Sequence, residues 1–90
     1  MKVHKVGQVF VCKRHNVKDD DDEYYFLYSR RKTDKTYEYK VKFYYFSSYG
    51  LTEGDIVHNL AGINRLLKTA IKVITKDEFD VIMAKYLLEH

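Results

Sequence analysis

The side chains that could bind a metal ion lie near the N-terminus. His4, Cys12 and His15 are the only soft ligand types that lie close together in the sequence, and a structural zinc site would need a fourth donor at suitable spacing. The five consecutive carboxylates of residues 19–23 could offer oxygen ligands to a hard cation, but they lack EF-hand spacing and a glycine for the sharp turn. We therefore expect no metal and no cofactor. The carboxylate run is interpreted as a solvated loop, because its like charges repel one another.

Catalytic chemistry is not indicated by any motif. A nucleophile, a base and an oxyanion donor must lie within reach of one another, and the chain contains no nucleophile elbow, glycine-rich phosphate loop or metalloprotease motif. His58 is the best-placed single histidine, and a helix through this region would turn it towards solvent. The sequence predicts a protein that is not an enzyme.

Basic residues gather around one predicted hairpin. Its tip carries two arginines and two lysines, and two further lysines follow on the outer face of the next strand beside an aromatic ring: Arg30, Arg31, Lys32, Lys35, Lys40, Lys42 and Tyr25. Cations that neutralise phosphates beside a ring that stacks on a base are typical of sequence-tolerant nucleic-acid binding. The first functional prediction is therefore a nucleic-acid-binding accessory protein, although Glu38 interrupts the stripe and charged faces also keep exposed sheets in solution.

A second set of residues favours protein interaction instead. Gly62 lies opposite the apolar stripe of a predicted helix, near His58 and Arg65. A glycine there would let another backbone approach closely, and nine tyrosines are more than the interior of a 90-residue domain can easily bury. The alternative prediction is a protein-interaction module, either a homodimer or an inhibitor that adds its sheet to a partner.

The first half of the chain has strand patterns. Residues 6–12, 24–31 and 37–43 are predicted as strands, the last because apolar and charged residues alternate with period two. A turn or loop within residues 32–35 would pair residues whose numbers sum to 67. The predicted inner pairs are Tyr24 with Phe43, Phe26 with Val41 and Tyr28 with Tyr39, and the outer pairs are Tyr25 with Lys42 and Leu27 with Lys40.

In the second half of the chain, the spacing of apolar residues changes from the period of a strand to that of a helix. Four aliphatic residues recur at helical spacing: Ile56, Leu60, Ile63 and Leu67. They predict a helix over residues 53–69, with Thr52 as its N-cap. Gly54 and Gly62 weaken that helix, and the competing prediction places strands at residues 54–60 in a small SH3-like or OB-like barrel. A strand follows at residues 70–74. Thr75 and Glu78 form a capping box for a final helix with one apolar stripe: Phe79, Ile82, Met83, Tyr86 and Leu87.

These elements predict a single α+β domain over residues 1–87, with a three-stranded antiparallel meander, a helix, a fourth strand and a C-terminal helix. Residues 88–90 are interpreted as an expression-tag remnant. One cysteine and the absence of a long apolar run predict a cytoplasmic protein outside the membrane. The lysine-, tyrosine- and aspartate-rich, proline-free composition is similar to that of many small proteins of low-GC Gram-positive bacteria and their phages, which implies no site residues.

Overall fold

The protein is an α+β domain built on one antiparallel sheet. A computed structural model describes residues 4–13, 22–47 and 50–89. The elements in chain order are β1 (Gln8–Lys13), β2 (Asp22–Lys32), β3 (Tyr37–Ser47), β4 (Gly50–Asn59), α1 (Leu60–Thr69), β5 (Ala70–Thr75) and α2 (Lys76–Glu89). The predicted class and order are confirmed, with one strand, β4, added before the first helix.

The five strands lie in the order β4-β3-β2-β1-β5, and every neighbouring pair is antiparallel. The first four strands form a meander. Helix α1 then carries the chain from β4, at one edge, to β5 at the other. The sheet is therefore open, with two edges, and is not the barrel of the competing prediction.

Each face of the sheet packs against one helix. The core on the α1 face contains Phe10, Leu27, Tyr39, Val41 and Ile63. The core on the α2 face contains Val9, Val11, Tyr44, Ile74 and Phe79. Alternate residues of β1 thus enter opposite cores, which explains why its run of apolar residues is unbroken.

The loop between β2 and β3 lies one residue later than predicted. Residues 33–36 form it: the Thr33 N–H donates to the Thr36 carbonyl at 2.8 Å, and the Thr33 hydroxyl accepts from the Thr36 N–H at 3.2 Å. Lys32 consequently pairs with Tyr37, and paired numbers sum to 69 rather than 67. Threonine hydroxyls that bond nearby backbone stabilise such loops.

A β-bulge at Tyr28 then changes the pairing again. Leu27 pairs with Val41, but Ser29 pairs with Lys40, so Tyr28 is the extra residue. Tyr25 therefore lies opposite Phe43, while Tyr24 lies opposite Tyr44 and Phe26 opposite Lys42. The predicted inner and outer pairs are wrong, because a one-residue shift exchanges the faces of a strand. Leu27, predicted to face outwards, is fully buried.

Residues 50–69 form a strand followed by a helix. The competing strand prediction is right up to Asn59, and the helical prediction is right from Leu60 onwards. Asn59 caps α1, because its Oδ1 accepts the Gly62 N–H at 2.8 Å. The predicted cap, Thr52, lies instead within β4 opposite Tyr45. Pairing with β3 outweighs the helical spacing in this segment.

Helix α2 begins as predicted. The Thr75 hydroxyl accepts the Glu78 N–H at 3.1 Å, and the Glu78 carboxylate accepts the Thr75 N–H at 3.4 Å, which confirms the capping box. Phe79 is buried, whereas Leu87 is 60% exposed and does not belong to the buried stripe. The helix continues to Glu89, and the tag assignment of residues 88–90 stays a prediction. Neither described helix has the length and hydropathy needed to cross a bilayer.

Candidate functional site

The helices are too short to cover the sheet. The eleven residues of β2 and of β3 span about 36 Å at roughly 3.3 Å per residue. The ten residues of α1 and the fourteen of α2 reach only about 15 and 21 Å. Each face of the sheet therefore keeps an area over β2, β3 and β4 that neither described helix covers.

Helix α1 crosses its face diagonally. It starts after Asn59, which pairs with Glu38 near the loop of residues 33–36, and it ends at Thr69, whose hydroxyl lies 3.6 Å from the Cys12 sulfur. Cys12 pairs with Glu23 at the opposite end of the sheet. The uncovered area lies between α1 and the edge strand β4.

A groove occupies this area. Its first part, about 330 Å³, adjoins α1 and is lined by Tyr25, Ile56, His58, Gly62, Arg65, Leu66 and Thr69. Its second part, about 270 Å³, extends towards the end of the sheet and is lined by Glu23, Tyr25, Phe43, Tyr45, Thr52 and Ile56. Tyr25 and Ile56 line both parts, so the two hollows adjoin. We call these residues together the α1-face groove.

The α1-face groove combines an aromatic floor with charges at its rim. The rings of Tyr25 and Phe43 lie 6.4 Å apart, centroid to centroid, and the Tyr25 hydroxyl donates to the Glu23 carboxylate. Arg65 is exposed on the α1 side. The groove is thus apolar in its floor, acidic at the Glu23 end and basic beside α1, the composition of a small binding surface with a polar rim.

Two glycines give this groove its shape. A Cβ atom on Gly54 would lie 2.7 Å from Cε1 of Phe43, and one on Gly62 would lie 2.7 Å from Nδ1 of His58. The Phe43 ring can therefore lie across β4, and His58 can pack against the first turn of α1. The expectation that Gly62 leaves space for another backbone is wrong, because His58 of the same chain fills that space.

The residues predicted for protein interaction are brought together. His58, Gly62 and Arg65 line one part of the α1-face groove with Tyr25, although His58 lies on β4 and not on the helix. The sequence interpretation missed Ile56 and Tyr45. Tyr45 could have been found by continuing the alternation of residues 37–43 by two residues.

The residues predicted for nucleic-acid binding are divided. Tyr25 packs against the core of the α1 face. Arg31 and Lys40 line a hollow of about 180 Å³ on the α2 face with Ser29 and Glu38, and Lys42 lines a neighbouring one with Phe26, Tyr28, Tyr44 and Asp55. We call these two hollows the hairpin face. Tyr25 therefore cannot stack beside Lys40 and Lys42 as predicted, because the bulge at Tyr28 turns it to the other face.

Several of these cations already have partners within the chain. The Arg30 guanidinium donates to the His4 carbonyl at 3.1 Å and lies 5.6 Å from the centre of the Tyr37 ring. The Arg31 guanidinium donates to the Glu38 carboxylate at 3.2 Å. Lys32 and Lys35 are exposed at the loop. Within the hairpin face, the Tyr28 hydroxyl donates to Asp55 at 3.1 Å. Each of the two hollows of this face contains a carboxylate, Glu38 in one and Asp55 in the other.

The potential soft metal ligands have separate partners. The His4 Nε2 atom lies 2.8 Å from the Asn64 Oδ1 atom, and the Cys12 sulfur contacts Thr69. Burial raises the pKa of the Cys12 thiol, which disfavours the thiolate needed for metal binding or nucleophilic attack. Across residues 4–13, 22–47 and 50–89, no three His, Cys, Asp or Glu side chains are grouped to hold a metal ion. His15 and residues 19–21 lie outside the described residues, while Asp22 and Glu23 begin β2.

Comparison with known proteins gives no relative: no family model matches the chain, and searches of curated proteins and of solved structures found no match.

Proposed function

We propose that this protein is a non-catalytic interaction domain that binds a segment of another protein in the α1-face groove. The observation that carries the proposal is the continuity of the groove through Tyr25 and Ile56, which joins an aromatic floor to the predicted residues His58, Gly62 and Arg65. Aromatic side chains in a partly covered depression are typical anchors of protein interfaces.

The charges around the groove favour a peptide over a nucleic acid. Glu23 lines the end of the groove farther from α1. Its carboxylate would repel a phosphate backbone, which needs cations along its path. A peptide can instead place a basic residue near Glu23, an acidic residue near Arg65 and apolar residues on the floor.

Selection from a displayed library of random dodecapeptides tests this proposal. We expect enriched peptides to bind the Arg65→Glu variant about tenfold more weakly than the unmodified protein, because the reversed charge repels the acidic peptide residue. The matched control is Lys85→Glu, an equal charge reversal at an exposed position of α2. Enriched peptides that bind both variants equally well would place the binding surface elsewhere, and failure to enrich any peptide would contradict the proposal.

Nucleic-acid binding is the second candidate, on the hairpin face. Arg31 and Lys40 share one of its hollows, and Lys42 lies in the other beside Tyr28, which is 37% exposed. Tyr28 would take the stacking role first assigned to Tyr25. Fluorescence anisotropy with single- and double-stranded oligonucleotides at low salt tests it, since phosphate contacts are strongest there. We expect Lys40→Glu to weaken binding and Lys85→Glu to leave it unchanged; absence of binding at about 50 mM salt would eliminate this candidate.

We further propose that the protein acts in the cytoplasm. The single cysteine, Cys12, is a buried free thiol, which supports a reducing compartment.

A further inference from the structure

We infer that the partner segment pairs with β4 as an added strand and that it alternates basic with apolar residues. The inference rests on the proposed function and specifies its binding mode. β4 is an edge strand: it pairs with β3 on one side, and no other described strand pairs with it on the other side. β4 contains no proline, and alternate residues between Leu51 and Asn59 direct their backbone groups away from β3 along this edge, which is the arrangement that accepts an added strand.

The two faces of β4 have different chemistry. Thr52, Ile56 and His58 line the α1-face groove, and Gly54, between them, supports the Phe43 ring. The intervening residues face the other way: Asp55 contacts Tyr28 on the hairpin face, and both Glu53 and Asp55 are exposed. β4 thus presents Ile56 to the groove between smaller or polar residues, and its other face carries two carboxylates beside the exposed Val57.

An added strand must match both faces. Its side chains would lie about 5 Å from those directly opposite on β4, alternating between the two faces. Residues that enter the groove would contact Ile56 and the Phe43 ring, so apolar side chains fit there. Residues on the other face would lie beside Glu53 and Asp55, where lysine or arginine is complementary. The Tyr28 hydroxyl occupies only one of the acceptor positions of the Asp55 carboxylate.

A second copy of the chain fits this edge less well. Two β4 strands paired about a two-fold axis would bring the carboxylates of Glu53 and Asp55 together, and like charges across a sheet are destabilising. β5 does have the alternation of apolar and basic residues that would suit the β4 edge, because exposed Ile71 and Val73 lie on either side of Lys72. Because β4 and β5 are opposite edges of one sheet, pairing between them would produce an open chain of copies.

Charge reversal at Glu53 tests the inference with the dodecapeptides enriched on the unmodified protein. We expect their consensus to alternate lysine or arginine with groove-facing residues that are apolar except for one acidic residue beside Arg65. Glu53→Lys should weaken their binding about tenfold at low salt and less at high salt. Asp34→Lys is the control, an equal charge change at an exposed loop position. Hydrogen exchange of the amides of residues 50–59 should slow in the complex, because an added strand pairs with the β4 backbone.

The outcomes separate the inference from the proposed function. Peptides that lose affinity for Arg65→Glu but bind Glu53→Lys normally, without protection of β4, would overturn strand addition and leave the groove as the binding surface. Failure to enrich peptides would overturn both. Light scattering on the protein alone should give a monomer. Oligomers that disappear in both Glu53→Lys and Lys72→Glu would identify the occupant as β5 of a second copy and overturn the inference.

Discussion

Replacing Gly62 by alanine should affect stability in a way that depends on His58. Alanine in place of glycine near the start of α1 improves helix propensity by up to about 1 kcal/mol. The new Cβ would, however, lie 2.7 Å from Nδ1 of His58 and 3.2 Å from its Cβ and Cγ. Close contact with the base of the side chain, and not only with its tip, forces the imidazole to rotate, at a cost of about 0.5–1.5 kcal/mol.

A double-mutant cycle isolates this contact. In the unmodified protein the two effects offset each other, so Gly62→Ala should change the free energy of unfolding by less than about 0.5 kcal/mol in either direction. In the His58→Ala background the contacts with Nδ1 and Cγ are removed and only the 3.2 Å contact with the Cβ atom remains, so the same substitution should stabilise by up to about 1 kcal/mol.

Urea denaturation followed by circular dichroism measures all four members of the cycle. The expected coupling between the two positions is about 1 kcal/mol. Equal stabilisation by Gly62→Ala in both backgrounds would refute the packing of His58 against Gly62, and with it the shape derived for this part of the groove.

Three further predictions concern stability. Gly54→Ala should destabilise by about 1–3 kcal/mol, because the added Cβ meets the Phe43 ring at 2.7 Å; urea denaturation checks this, and an unchanged midpoint would contradict it. Asn59→Ala and Thr75→Ala should each cost about 1 kcal/mol through loss of a helix cap, seen as a lower thermal midpoint, and no change would show that the caps are dispensable. Burial raises the pKa of Cys12 above its ordinary value of 9.0, so only the unfolded chain readily loses this proton. The free energy of unfolding should therefore fall as pH rises above that value, and Cys12→Ala should show a shallower fall; identical slopes would contradict the assignment.

Local signals were sufficient for the parts of the fold that depend on neighbouring residues. The capping box at Thr75 and Glu78 involves residues three apart, and both of its hydrogen bonds form. The alternation in residues 37–43 requires only a period of two, and it predicted strand β3 without knowledge of its partners.

Features set by distant residues could not be read in the same way. The bulge at Tyr28 shifts the register between β2 and β3 so that Leu27 and Val41 enter the same core. No residue type near Tyr28 in the sequence indicates this bulge. The residues from Ile56 to Leu67 do have helical spacing, but hydrogen bonding to β3 keeps the chain extended as far as Asn59. The same two features decide the candidate site, because they move Tyr25 and His58 into the α1-face groove.

The most direct test of the α1-face groove as the binding surface is an NMR titration of isotope-labelled protein with an enriched peptide. The proposal predicts that the largest shift changes occur at Tyr25, Ile56 and Arg65, with smaller changes elsewhere. Changes concentrated instead at Lys40 and Lys42, on the hairpin face, would contradict it.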